Sequence, residues 1–343
     1  MTKRTQRFVF LGVAILVLGL GTGLVASYVG LPNLGIVGSD GPVELAYVPA
    51  DATVVAFADV REVMDSELRR KLLKISPDAD QGADSFQAET GINLQTDVDH
   101  LVASVSGVPD PSNPANMRPL LVARGRFDTG RIEAAIRAKG GTVEEYNKQR
   151  LITLENELGL AFVEPDLAVV GVPAAVRRAI DTKASGKNVT GNANVMRLVR
   201  DFDNGNAWVV AHIEAVTSGN IIPQEIKQQL PPVTWLAVSG RIDDGVRAVV
   251  RAEARDEAAA NNLRDVVRGL VALARLQAGA HPELSVLVNS LELGGEGTTV
   301  SLGVTVPPAI IEMLGTLRGQ APVQPQGVPG AVVAPRRPQR PTL

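Results

Sequence analysis

The chain has 343 residues, 45% of them hydrophobic, enough for about two domain cores, which excludes disorder throughout. Lys and Arg number 34 against 37 Asp and Glu, so no cationic field exists to hold a phosphate polymer, and nucleic acid is not expected as a partner. Zero cysteines remove disulfides, thiolate metal sites, cysteine nucleophiles and lipoprotein acylation, while three histidines and 3% aromatics leave little for imidazole clusters or base stacking.

Residues 1–7 form a basic stub carrying Lys3, Arg4 and Arg7. From Phe8 to Val29 the chain runs through 22 uncharged residues. At ~1.5 Å per residue such a helix matches the ~30 Å hydrocarbon core of a bilayer. The next charges are Asp40 and Glu44, and no basic residue follows until Arg61. The positive-inside asymmetry therefore predicts a single-pass inner-membrane protein, N-terminus cytoplasmic and bulk periplasmic or otherwise extracytoplasmic, with the bilayer as a partner through residues 8–29. A cleaved signal peptide is the competing reading, because Val25-Ala26-Ser27 offers small residues at a cut, although the apolar stretch of such peptides is usually ~7–15 residues. Gly19, Gly23 and Ser27 share one helix stripe, where homodimerisation through close helix approach is an expectation.

Residues 30–43 are Gly- and Pro-rich and read as a spacer. A first α+β unit is expected over 44–190. It opens with a strand at 53–60, followed by a helix placing Val60, Val63, Met64, Leu68 and Leu72 on one face, capped by Asp59 with Glu62. Strands follow at 100–107 and 118–127, then a helix begun by Asp128, with Ile132, Ala135 and Ile136 inward and Gly140-Gly141 as its stop. LITL, GLAFVE, a Pro165-Asp166 turn and a strand at 167–172 lead to a helix opened by Pro173.

A second unit is expected over 193–318. Strands at 207–216 and 233–242 flank a short helix near Gln224–Leu230, and Asp244-Gly245 makes a primed hairpin turn with positive φ into VRAVVRAEA. The helix from Asp256 to about Ala278 is expected to bury Leu263, Val266, Val267, Leu270 and Leu273. A hairpin from Ser290 to Val306 and a helix carrying Ile310, Ile311, Leu314 and Leu317 close the unit, and residues 319–343 form a disordered Pro-rich tail.

Four landmarks recur in one order: VVAFADV with VVAHIEAV, LVASVSG with WLAVSG, LVARGRFD with VVRAEARD, and VVGVPAAVRRAI with SLGVTVPPAIIEML. This internal repeat predicts an N-terminal transmembrane helix followed by two homologous units, each an antiparallel sheet with helices on one face.

Chemistry-bearing patterns are incomplete. Gly186-Lys187 resembles a phosphate loop, but Asn188 replaces its hydroxyl residue and Asp181 its leading glycine. Gly294-Gly295-Glu296-Gly297 reads as a hairpin turn before an anion cradle. Asp78, Asp80, Asp84 and Glu89 approach a calcium loop, yet Gly82 holds the fifth place instead of the sixth. His100 follows Asp97 and Asp99, and His212 alternates with Glu214, so each imidazole has an expected carboxylate partner; His281 sits in a loop before Pro282. Arg336, Arg337 and Arg340 charge the tail. No catalytic, cofactor-binding or metal residue is assigned, and no cofactor is expected.

The anchor, the opening YVPADATVVAFADV (47–60), TGINLQTDVDHLVASVSG (90–107) and LVNSLELGGEGTTVSLGVTVP (287–307) resemble a family of bacterial membrane-anchored extracytoplasmic proteins of unknown function. The resemblance implies a location and a fold type and no catalytic residue. The expected function is a non-enzymatic, membrane-anchored interaction or scaffold protein with a protein partner; the alternative is a carrier of apolar, lipid-like molecules in a groove between the units.

Overall fold

The computed structural model describes residues 41–75, 87, 92–93, 95–107, 118–155, 157–201, 205–213, 232–278, 282–308 and 310. The segment 8–29 with its flanks and the Gly19, Gly23, Ser27 stripe, the helix expected near 224–230, the end of the last helix and the tail lie outside them. Among the described residues, no helix is long and apolar enough to cross a membrane.

In chain order the described elements are β1 (Ala52–Asp59), α1 (Val60–Met64), α2 (Glu67–Ile75), β2 (Val98–Ser106), β3 (Arg118–Gly125), α3 (Thr129–Ala138), β4 (Thr142–Tyr146), β5 (Gln149–Leu154), β6 (Leu158–Glu164), β7 (Leu167–Gly171), α4 (Pro173–Ser185), α5 (Ala193–Arg200), β8 (Ala207–His212), β9 (Val233–Ile242), β10 (Val246–Ala254), α6 (Glu257–Ala278), α7 (Pro282–Asn289), β11 (Glu292–Gly294) and β12 (Thr299–Val306). The fold is α+β, dominated by antiparallel pairing. Two sheets were expected and one is found: twelve strands run β11-β12-β10-β9-β8-β1-β2-β3-β7-β6-β5-β4. The seam is β1 on β8, with Phe57 opposite Trp208 and Ala58 opposite Ala207. β1 and β8 are apolar on both sides because each has a paired neighbour on either edge and cover on both faces.

The expectation of helices on one face is also corrected. Successive strand residues point to opposite faces, and Leu151 and Ile152 join different cores. On the front face α4, α5 and a 3-10 turn at Val43–Tyr47 pack on Phe57, Val102, Leu151, Val169 and Trp208. On the back face α3 packs through Ile132 on Ile152, Leu160 and Ala168. Farther along that face, Val63 of α1 and Leu68 of α2 meet Ala207, Ile242 and Val246, and α6 meets Ala252, Ala254 and Val300. A sheet this apolar on both faces needs both layers to remove it from water.

Local chemistry accounts for most boundaries. Asp59 caps α1 by accepting from the Glu62 amide at 2.8 Å, but the single helix expected from Val60 is broken, and Ser66 restarts it by accepting from the Arg69 amide at 2.7 Å. Gly245 lacks the expected positive φ; it stands there because a Cβ would meet the Val306 carbonyl at 2.7 Å. Three elements have no counterpart in the sequence reading: β4, α5 and α7. Asn192 caps α5, accepting from the amides of Asn194 at 3.2 Å and Val195 at 3.3 Å. Asn192→Ala is expected to cost about 1 kcal/mol and to lower the thermal midpoint in calorimetry.

The largest departure concerns α6. Leu263 is buried and Val267 packs on the core, but Val266, Leu270 and Leu273 are 55%, 60% and 52% exposed. The helix is apolar on two flanks, so its periodicity could not say which one meets the sheet.

Candidate functional site

The densest polar constellation lies at one end of the front face. Asp59 of β1, His100 of β2 and Arg124 of β3 are register partners in a row across three strands, and alternation sends all three side chains forward. Over them sits Glu44 of the 3-10 turn, 1% exposed. Arg124 donates through Nε to Glu44 Oε1 at 2.5 Å, through Nη1 to Asp166 Oδ2 at 2.5 Å and through Nη2 to Glu164 Oε2 at 3.2 Å. Tyr47 donates its hydroxyl to Glu164 at 3.0 Å. The His100 imidazole bridges Asp59 at 3.6 Å and Glu44 at 3.8 Å, and its ring tilts against Phe57, which stacks on Trp208. The partners expected for His100 are therefore replaced: Asp97 accepts from the Asn93 amide and the Thr96 hydroxyl, and Asp99 pairs with Arg61.

Electrostatics make the row a clasp. Burial alone would push the Glu44 carboxyl up, but attraction from His100 and Arg124 outweighs it and holds the group at about 2. The carboxylates of Asp59 and then Glu44 overcome burial and push His100 up to about 9. Burial and the Glu164 carboxylate push the Tyr47 hydroxyl up. Chemically, an imidazole that keeps its proton at neutral pH is a poor general base, and the Arg124 donors are spent on three carboxylates. The arrangement ties the first described turn to β1, β2, β3 and the β6–β7 turn.

Stability should follow the imidazole. His100 is charged more readily in the folded chain, so its contribution is complete below pH 6.5 and is lost as pH rises through about 9. With the side chain 39% exposed, solvent screening leaves about 1–2 kcal/mol of it. Urea midpoints measured from pH 6 to 10 should decline in the native chain and flatten in His100→Gln.

The other candidates separate. His212 stacks on Trp235 at 4.6 Å, and Glu214 lies outside the described residues, as do Asp78, Asp80, Asp84, Glu89, His281, Arg336, Arg337 and Arg340. Gly186 is the left-handed C-cap of α4, with φ +70°, so Gly186-Lys187 ends a helix and is not a phosphate loop. Gly294–Gly297 is the β11–β12 turn, whose Gly297 carbonyl accepts from Arg264 at 2.7 Å; it presents an acceptor to an arginine. Beside it a cleft of about 390 Å³ is lined by Arg264, Arg268, Arg275 and Leu293, and a second of about 370 Å³ lies between Glu144 and Arg177, which pair within it. Among the described residues, no group of three or more His, Cys, Asp or Glu is placed to hold a metal ion.

Comparison with protein-family models finds no match, and comparison with curated proteins finds no significant one. Among solved structures, the chain is similar to crystal form IV of TP0453, with TM-score 0.45 and 10% identity over 80% of this chain and 96% of that one. Crystal form III of TP0453 gives 0.44 and 9% over 80% and 97%.

The sequence reading missed Glu44, Asp59 and Arg124 as one cluster. Period-two alternation would have put Asp59, His100 and Arg124 on one face had the register of β1, β2 and β3 been known; nothing local pointed to Glu44, 80 residues from Arg124.

Proposed function

We propose that the protein is a membrane-tethered, extracytoplasmic interaction module of the bacterial inner membrane, built by duplication and acting as a binding scaffold, not as a catalyst. The observation that carries this reading is the uncharged run from Phe8 to Val29 behind Lys3, Arg4 and Arg7. Two features of the fold support it. Reading outward from the seam, one arm runs β1-β2-β3-β7 and the other β8-β9-β10-β12, the order in which the sequence landmarks recur. The clasp also fastens the first turn after the spacer to three strands, as suits a body hung from its N-terminal side.

The carrier alternative needs a groove between the units. At that place β1 and β8 are hydrogen-bonded neighbours, and buried side chains fill both faces of the seam.

Expressed intact and fractionated, the chain should stay in the alkaline-carbonate pellet, and protease added to spheroplasts should digest the part beyond residue 43. Recovery of the intact chain in the soluble fraction would overturn the reading. Cross-linking in intact cells should capture a specific partner, and capture of none would count against a scaffold.

A further inference from the structure

We infer that the cleft between α6 and β11 is a docking site for an acidic, extended segment of a protein partner, which adds to the sheet at its open edge. β11 is the terminal strand, paired with β12 on one side and, among the described residues, with no strand on the other. Alternate N–H and C=O groups of such a strand point away from the sheet and can pair with one strand more. Across the cleft from this edge stands a stripe of α6 carrying Arg264, Arg268 and Arg275, four and then seven residues apart and so on one side of the helix.

The lining selects charge. It holds three arginines and no carboxylate, with Val271, Leu291 and Leu293 as an apolar floor between them. Arg264 donates to the Gly297 carbonyl at 2.7 Å and the Thr299 carbonyl at 2.8 Å, so it braces the turn that forms one wall. The other two guanidinium groups face the occupant. Arg275 is exposed and stands in no ion pair among the described residues. Arg268 donates to Asp265 at 2.5 Å, but these side chains are 67% and 72% exposed, so water screens the pair and a bidentate carboxylate can replace it. Glu292 and Glu296 flank the wall in sequence and do not line the cleft.

The spacing suits a strand. Seven helical residues set Arg268 and Arg275 ~10 Å apart along the axis. Acidic side chains two or four residues apart on an added strand are ~7 or ~13 Å apart, within the reach of two flexible arginines. The chain's own tail has the wrong chemistry: residues 319–343 carry Arg336, Arg337 and Arg340, no carboxylate, and prolines that cannot donate to a ladder. The inference rests on the interaction-module reading above and gives that module a class of partner.

The test titrates the full chain, in detergent micelles, into a fluorescein-labelled nine-residue peptide that alternates glutamate and valine. Anisotropy is read at about 50 mM salt, where screening is modest. We expect a dissociation constant on the order of 10–100 μM and no binding of a peptide with lysine in place of glutamate. Proline at the central valine should weaken binding about fivefold, and Arg268→Glu with Arg275→Glu about tenfold. Both arginines are exposed on a helix, so the double variant should keep the parent's circular dichroism and melting. A photo-cross-linking group on the peptide should attach within residues 268–275 and 291–295.

No binding up to about 1 mM peptide, or cross-links away from the cleft, overturns the inference and leaves the tether standing. Equal affinity for the proline peptide means that charge alone holds it, which overturns strand addition. Self-association that the double variant abolishes assigns the cleft to a second copy, through Glu144 and Glu145 of its edge strand β4, and also overturns the inference. Peptide binding by a chain that carbonate extracts supports the docking site and removes the tether.

Discussion

Arg124→Leu is expected to lower unfolding free energy by about 3 kcal/mol, seen as a fall in the urea midpoint at pH 7 with an unchanged slope. The cost is not the loss of a surface ion pair. Glu44 is 1% exposed, and one of its oxygens, Oε2, is buried with no hydrogen-bond partner among the described residues. Removing the guanidinium leaves this carboxylate with only His100 against its desolvation, and an uncompensated buried charge is expensive. The pH dependence identifies the cause. In the native chain Glu44 is depressed to about 2, so its stabilising contribution is present above its ordinary value of 4.5 and is lost as pH falls through 2. In the variant burial takes over and the group titrates at higher pH, so the gap between the two chains should narrow steadily as pH falls from 7 toward 4. A double-mutant cycle with Glu44→Gln should give a coupling above about 1 kcal/mol. Additive losses would show that the clasp does not hold the turn.

Leu45→Ala is the second large effect, at about 3 kcal/mol. Leu45 is fully buried in the front core. Its Cδ1 lies with Val199 and Met196 of α5 around Gly41, so truncation opens a void between the first turn and α5. The void should also loosen the neighbouring bridge in which the Val189 amide donates to the Val48 carbonyl at 2.9 Å. Hydrogen exchange at Val189 should then accelerate more than at Val169 in the sheet interior. Equal acceleration at both amides would mean that the turn and the sheet open only together.

The sequence was most readable where one physical signal acts alone. β1, β2, β3, β8, β9, β10 and β12 are β-branched runs bounded by turn residues, and each was located within a few residues. β4 was missed because Thr142–Tyr146 is a polar edge strand whose hairpin turns on Asn147 and Lys148 with positive φ and no glycine. α5 is short, and its cap, Asn192, also reads as a loop residue. The faces of α6 were misassigned because apolar residues occupy both the flank that meets the sheet and the flank that does not. The seam and the clasp were out of reach for a different reason. Both depend on partners brought together from distant segments, and period-two alternation says which residues share a face without saying which strand lies beside which.

The seam sets a timetable for synthesis. β1 cannot acquire its second neighbour until β8 is made, about 150 residues later, which at ~5–20 residues per second is roughly 10–30 s. For that interval the first arm, whether emerging from a ribosome or a translocation channel, carries a bare apolar edge, the kind of template to which another chain can add. The molecule thus has its greatest hazard of misassembly midway through its own production, and a holdase that covers that edge would shelter it until the second arm arrives.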